Sequence, residues 1–316
     1  MNKEQAVKNK TEYKTGDTDT SLDPMKELID CCDRLIPVIL YGPPGTGKTK
    51  MVMDLKKDFQ ARNALGKFET IQFHRKFTYE DFIEGYKPSE NGFVKRDGIF
   101  KEFCKNPTVD KVDLFVIDEI NRAEIATTFG EALFALEDRE SRIVKTAHFS
   151  EPFSIPRNLQ LIGTMNTADK SIANIDFAIR RRFRFIPVFP DVSKLENWLS
   201  DLSINLSNFT LSEYCKFFER TNKRIAGSSQ LGPHMQLGEA MFVPSGFGDT
   251  AISEEDFLYN FRDVLLPQVE AYLGFGNRIE LSAIFGPLLV DKFLASRSVS
   301  IGDFSGLIKE SINDKS

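Results

Sequence analysis

The chain has little of what would place it in a membrane, a disulfide scaffold or a nucleic-acid coat. No run of 18 apolar residues occurs among its 316, so no segment reads as a transmembrane helix. Met1 to Asp23 is polar and charged, unlike a secretion signal. The expectation is a soluble, cytoplasmic protein that does not engage a membrane. Of the four cysteines, Cys31 and Cys32 are neighbours and Cys104 and Cys215 lie far off, with no C-x-x-C pair and no histidine at ligand spacing. Neither zinc nor a disulfide framework is indicated. A formal net charge of −5 argues against broad non-specific nucleic-acid binding, which depends on neutralising phosphates with Lys and Arg. Local basic patches such as His74-Arg75-Lys76 remain compatible with that charge. The chain has one tryptophan, Trp198; its place in Leu195-Glu196-Asn197-Trp198-Leu199 suits a helix's apolar face, an expected core position rather than a base-stacking platform.

What is present begins with Gly42-Pro43-Pro44-Gly45-Thr46-Gly47-Lys48-Thr49, which satisfies the phosphate-binding pattern G-x-x-x-x-G-K-[ST]. The short apolar run Ile36 to Tyr41 before it suits a buried parallel strand, and a helix is expected to open at Lys48. Glycines there let backbone N–H groups curl around phosphate oxygens, and the helix N-terminus adds partial positive charge. In this reading Lys48 reaches the β- and γ-phosphates of a nucleoside triphosphate and Thr49 ligates Mg²⁺.

About 70 residues on, Leu114-Phe115-Val116-Ile117 runs into Asp118-Glu119. This reads as a core strand whose carboxyl end carries the acids, the end at which ligands sit in open α/β sheets. Asp118 is the second candidate for the metal, and Glu119 the group that polarises an attacking water. A third strand, Leu159 to Met165, delivers Asn166 where a γ-phosphate would lie; the same residue could equally be a turn-former. Asp176 to Arg184 reads as a short helix with a basic end. Successive helical residues diverge by about 100°, so Arg180, Arg181 and Arg182 cannot share one target. Either they are cations complementing a helix C-terminus, or one is an arginine finger reaching a neighbouring subunit's γ-phosphate, with Arg181 and Arg182 preferred for the finger and its support.

With those residues in view the chain resembles an AAA+ module of the McrB type, the NTPase subunit of modification-dependent restriction systems. The resemblance is carried by Phe73-His74-Arg75 with Tyr79 to Pro88, by Asp118-Glu119-Ile120-Asn121-Arg122-Ala123, by Met165-Asn166-Thr167-Ala168-Asp169-Lys170-Ser171, and by Leu231 to Gly238 and Leu265 to Tyr272. It covers roughly residues 22 to 290. It implies that Asn166 senses the γ-phosphate, that GTP or ATP is the substrate with Mg²⁺, and that the subunits form a homo-oligomer, a hexamer in the family. It further implies a McrC-like nuclease partner, with DNA engaged through the complex. Lys170 stands where the family has Arg, which keeps the charge and loses the planar fork. An N-terminal DNA-reading domain is not expected. No Asn-Lys-x-Asp guanine-reading motif occurs, which leaves ATP open as the nucleotide. The competing reading is a protein-remodelling ATPase of the MoxR or dynein-related branch.

The expected fold class is α/β: a P-loop core with a parallel sheet and helices on both faces, followed by a smaller helical lid. Residues 1–21 are expected to be a disordered polar tail, 22–189 the nucleotide-binding domain and 190–316 the lid. Leu22 to Leu35 reads as an amphipathic helix, Phe68 to Phe73 as the second strand and Ala126 to Glu137 as one helix. The dipeptides Asn91-Gly92 and Asp97-Gly98 suggest turns around an outward-facing hairpin, and Ser141 to Phe153 a second hairpin insertion. Helices are expected over Ser193 to Leu202, Leu211 to Ile225, Ser253 to Leu273 and Ile279 to Leu294. In the lid, His234 is a lesser candidate for nucleotide contact.

Overall fold

A computed structural model describes residues 23–90, 92–139, 142–169, 175–244, 251–295 and 299–313. The expectations for residues 1–21, and those resting on Asn91, Ser141, Lys170 and Ser171, lie outside the described residues.

Five strands, β1 (Val38–Gly42), β2 (Leu65–Gln72), and three later ones at Val112–Asp118, Leu159–Asn166 and Arg184–Pro187, make one sheet. Counting two short hairpins between them, β3 (Glu84–Ser89) with β4 (Gly92–Asp97) and β6 (Val144–Lys145) with β7 (Pro152–Phe153), the three later strands are β5, β8 and β9. The sheet order is β2-β5-β8-β1-β9, and every pairing in it is parallel. Parallel strands covered on both faces read as unbroken apolar runs, and Leu114 to Ile117 is buried throughout. Because all five strands point one way, Gly42, Asp118 and Asn166 finish at one edge of the sheet, and Gly42 lies in register with Asn166.

Helices α1 (Pro24–Asp33), α2 (Lys48–Ala61), α3 (Tyr79–Phe82), α4 (Ile99–Cys104), α5 (Ile125–Phe129), α6 (Ala132–Ala135) and α7 (Phe177–Arg180) alternate with the strands. Asp23 caps α1 by accepting the Met25 N–H, and Pro24 supplies a preset first turn. One face of the sheet packs on Leu28, Val52, Leu55 and Phe59 of α1 and α2. The other packs on a phenylalanine-rich cluster that includes Phe73, Phe82, Phe100, Phe115 and Phe129. Phe82 and Phe100 stack with centroids 4.7 Å apart.

After β9 come α8 (Val192–Ser200), α9 (Leu211–Gly227), α10 (Glu239–Phe242), α11 (Glu254–Asn260), α12 (Leu266–Leu273), α13 (Arg278–Phe285), α14 (Pro287–Ala295) and α15 (Ile301–Asn313), with a two-residue ladder of β10 (Ile204–Asn205) and β11 (Ile252–Ser253). They close over their own apolar cluster, centred on Tyr214, Phe217, Phe242, Phe257, Phe261 and Phe285. A π-helical turn, Phe261–Leu265, joins α11 to α12. Pro267 has no N–H to return to the preceding turn, which is the setting in which a helix widens locally. Among the described residues no helix is long and apolar enough to cross a membrane.

Four expectations are corrected. Ala126 to Glu137 is not one helix; it breaks at Gly130, whose φ of 49° and 2.9 Å approach of a notional Cβ to the Tyr79 ring mark a turn made so that Tyr79 can pack there. Ile279 to Leu294 likewise breaks at Gly286 (φ 99°) before Pro287. Asp97-Gly98 is a strand-to-helix junction and not a hairpin turn: a Cβ on Gly98 would come within 2.3 Å of the Phe82 carbonyl carbon. Trp198 is 40% exposed, so it is not a core residue.

Phe100→Ala removes a ring that touches Phe82, Phe115 and Phe129, and a large-to-small change in such a core costs about 3–5 kcal/mol. Urea unfolding of the variant should show a lowered midpoint with that loss.

Candidate active site

The loop between β1 and α2 is set by backbone geometry. Gly45 and Gly47 both have φ of 79°, a region that favours glycine. A Cβ on Gly42 would lie 2.0 Å from the Val188 carbonyl oxygen, so only glycine admits the chain leaving β9. Lys48 bends back into the loop, its Nζ donating to the carbonyls of Gly42 at 2.9 Å and Pro43 at 2.7 Å. Thr46 closes the curl by donating its hydroxyl to the Pro43 carbonyl. Burial pulls the Lys48 ammonium down to about 8, although Glu119, Asp118 and Glu239 act to raise it.

The acidic strand meets this loop. Thr49 Oγ1 donates to Asp118 Oδ1 at 3.4 Å, bringing together two residues 69 positions apart. Thr164, on the neighbouring strand, donates its hydroxyl to the same Asp118 oxygen and accepts the Glu119 N–H at 3.2 Å. Two hard oxygen donors side by side beside a phosphate loop fit a Mg²⁺ ion.

Glu119 leaves the strand with φ 54° and ψ 44°, a left-handed conformation that costs a non-glycine residue about 1–2 kcal/mol. That turn takes its carboxylate out of the strand direction. Its Oε2 is buried and accepts no hydrogen bond among the described residues, lying 3.4 Å from Arg122 Nε. Arg122 also lies 3.5 Å from Asp169. Burial raises the Glu119 pKa, with Asp169 and Asp118 adding to the rise and Arg122 and Lys48 opposing it. A half-buried carboxylate with a raised pKa and one buried oxygen that accepts no hydrogen bond among the described residues suits proton acceptance.

Asn166 ends β8 beside Gly42, and the Thr167 N–H donates to the Gly42 carbonyl at 3.0 Å. The Asn166 side-chain oxygen accepts the Ala168 N–H at 3.1 Å, so the residue makes the turn while that bond leaves its amide nitrogen out.

The arginines divide as helical geometry requires. Arg182, whose side chain is 7% exposed, turns inward to Glu137 and donates to the Ala178 carbonyl at 2.8 Å. Arg181 remains 66% exposed and 3.2 Å from the same Glu137. Arg180 lies over the Phe185 ring at 5.7 Å. Of the three, Arg181 carries the guanidinium both outward-facing and tethered to an acid.

The helical segment reaches the phosphate loop through backbone. Gly238 N–H donates to the Pro44 carbonyl and Ala240 N–H to the Gly45 carbonyl, at 2.9 and 3.0 Å. Thr167 Oγ1 donates to the His234 carbonyl at 2.9 Å, while the His234 ring faces Phe189. Beside Gly45, Thr46 and Gly47 opens a cavity of about 590 Å³ walled by Met25, Met51, Trp198 and Leu202, with Asp23, Asp201 and Asn197 at its polar positions. Sequence reasoning missed Thr164, Gly238 and this role of Trp198. Thr164 had a legible signal, a hydroxyl on an apolar strand two residues before Asn166.

The sequence profile of the AAA domain, dynein-related subfamily, matches residues 37–183. The chain is 36% identical over 216 residues to the McrB subunit of the type IV methyl-directed restriction enzyme EcoKMcrB of Escherichia coli K12, covering 65% of this chain and 47% of that one. It is 25% identical over 236 residues to YdiS, a component of the type II restriction enzyme BsuMI of Bacillus subtilis 168, covering 60% of this chain and 68% of that one. A crystal structure of a protein from Cytophaga hutchinsonii covers 75% of this chain and 61% of its own at a TM-score of 0.33 and 15% identity. The chain spans about half the length of the McrB subunit it matches. Fold, loop and profile define a P-loop NTPase with an AAA domain. Within that class the shared part of the chain fits a McrB-like AAA subunit.

The depressed Lys48 pKa has a consequence for binding. Below about 8 the side chain is an ammonium able to pair with phosphate; above it the amine is neutral. Affinity for a nucleoside triphosphate should therefore fall as pH rises through that value, and Lys48→Ala should flatten the profile. Fluorescent-nucleotide titrations across that range check both.

Proposed function

We propose that this chain is the nucleotide-driven subunit of a restriction system: a Mg²⁺-dependent GTPase or ATPase that assembles as a homo-oligomeric ring, a hexamer, in the cytoplasm. In this proposal it drives a McrC-like nuclease subunit that acts on DNA. The observation that carries the hydrolytic part is the meeting of Thr49, Asp118 and Glu119 at the Lys48 loop. Residues 22–189 serve as the nucleotide-binding domain and 190–316 as the lid, whose Gly238 and Ala240 bind the loop carbonyls.

Gly42, Pro43, Pro44, Gly45, Thr46 and Gly47 cradle the phosphates, with Lys48 as their counter-charge. Thr49 and Asp118 hold Mg²⁺, which supplies neutralisation of charge on the phosphates. Glu119 takes the proton of the attacking water, while the Asn166 amide and Arg181 stabilise the transferring phosphoryl group, Arg181 from a neighbouring subunit with Arg182 as its support. The cavity beside Gly47 receives the nucleoside. A finger supplied in trans is worth about 10³–10⁵ in rate, so an isolated subunit should turn over slowly.

Two of the relatives are restriction components, which favours restriction. The dynein-related profile is the ground for the second reading, protein remodelling without a nuclease. Hydrolysis of GTP and of ATP, each measured with and without the neighbouring gene product, separates them: stimulation by a nuclease subunit is expected, and its absence with every candidate partner would leave remodelling.

Lys48→Ala should weaken nucleotide binding, whereas Glu119→Gln should bind normally and release no phosphate. Equal turnover by Glu119→Gln and the parent would remove Glu119 from its role. Arg181→Ala should bind nucleotide and fail to hydrolyse it, and mixing it with Lys48→Ala should restore part of the activity, because some interfaces then pair an intact loop with an intact finger. Phosphate release from the mixture, with assembly followed by size, decides this.

A further inference from the structure

Three guanidinium groups meet on one carboxylate at the end of α7. Glu137 Oε1 is paired with Arg182 and lies 3.2 Å from Arg181 Nη2, while Glu137 Oε2 accepts from Arg142. Arg181 and Arg182 follow one another at the end of α7, whereas Arg142 stands just before β6, about 40 positions earlier. The bond from Arg142 holds the Glu137 carboxyl below the usual carboxylate range, with the charges of Arg182 and Arg181 adding to this and burial opposing it. Like charges repel at such spacing, so the three guanidiniums stay together because the acid stands among them.

Two of the three are fixed independently of that acid. Arg182 is buried and donates to the Ala178 carbonyl at 2.8 Å. Arg142 lies over the Phe134 ring at 4.0 Å and donates to the Phe134 carbonyl at 3.3 Å. Each oxygen of Glu137 is thus held by an anchored cation, and a carboxylate gripped at both oxygens does not swing. Arg181 differs: its side chain is exposed, and its one ion pair among the described residues is to Glu137. A free arginine side chain carries about 2 kcal/mol of rotamer entropy. A tether through one nitrogen removes part of that freedom and leaves the rest of the five-donor fork open.

Open apolar residues border this cluster. Phe177, whose carbonyl accepts the Arg181 N–H, is 86% exposed; Ile143, next to Arg142, is 71% exposed, and Phe134 51%. Aromatic residues and arginine are the types enriched where protein surfaces meet. We propose, on the reading of Arg181 as the finger in trans, that Glu137 is its positioning residue, with Arg142 and Arg182 holding the Glu137 carboxylate so that Arg181 is aimed at a neighbouring subunit's phosphates. Glu137, being an anion, does not itself meet the phosphates and acts through Arg181. A misplacement of about 1 Å costs about 10²-fold in rate, which sets the size of the effect expected on losing it.

The test compares Glu137→Gln with Arg181→Ala in the whole chain, measuring fluorescent-nucleotide affinity, assembly by size and phosphate release. Glu137→Gln keeps the side chain's shape and loses its charge. It should bind nucleotide and assemble as the parent does, while phosphate release falls about 10²-fold. Mixing it with Lys48→Ala should restore part of that loss, because Lys48→Ala subunits bring a correctly held finger to the intact loop of Glu137→Gln. Arg142→Ala should show the same pattern to a smaller extent, and it carries the test if Glu137→Gln has a lowered thermal midpoint. Parent-like turnover by folded Glu137→Gln beside an inactive Arg181→Ala would overturn the proposal and leave the finger in place. Parent-like turnover by Arg181→Ala would instead remove the finger, and Glu137's role with it. A loss that Lys48→Ala does not relieve would also overturn the proposal, since the defect would then lie in the variant's own loop. Failure of folded Glu137→Gln to assemble would do the same, making Glu137 an interface contact.

Discussion

Everything in the phosphate loop depends on backbone meeting backbone where no Cβ can fit. On one side the chain leaving β9 passes so close to Gly42 that a methyl there would overlap the Val188 carbonyl. On the other, a Cβ on Gly238 would come within 2.1 Å of the Gly45 carbonyl carbon. The loop is thus held between sheet and helical segment by contacts that admit no side-chain slack. Two carbonyls that a loop would otherwise present to water, those of Pro44 and Gly45, are satisfied by N–H groups from the helical segment. Buried backbone groups need partners, so the loop's shape and the position of that segment are one problem with one solution.

Within that frame the polar groups are distributed unequally. Asp118 is held by two hydroxyls, whereas Glu119, its sequence neighbour, has a strained backbone and a carboxylate oxygen with no hydrogen bond. Local strain and unsatisfied polarity cost stability and persist where the surroundings enforce them. Adjacent carboxylates with opposite environments are the arrangement by which one residue stays a ligand and the next becomes a base. The Lys101 ammonium is the reverse case: Glu84, Asp97 and Glu151 each find it as a partner.

Much of this was legible because it rests on local chemistry. The glycine spacing before Lys48 and the apolar run before Asp118 each determine a backbone path within a few residues, and the parallel order of the strands then brings Asn166 beside Gly42. What could not be read were contacts between distant segments. Gly130 interrupts a helical pattern for the sake of the Tyr79 ring, 51 positions earlier, and nothing near Gly130 announces it. Trp198 has helix-core spacing, yet its face of α8 borders a cavity shared with Met25 and Met51, and amphipathic periodicity cannot tell a core from a cleft wall. The inward turn of Arg182 and the outward one of Arg181 followed from helical angles only once Glu137 was known to lie between them.

The glycines at 42, 45 and 238 also separate two histories a chain of this kind can have. In the proposed mechanism turnover depends on the Glu119 carboxylate, which can be lost by one substitution without moving any backbone atom. The glycine pattern depends on steric exclusion, and losing it would push sheet and helical segment apart. A descendant that had abandoned hydrolysis would therefore still carry its glycines, as a record of packing that outlasts the chemistry it once served.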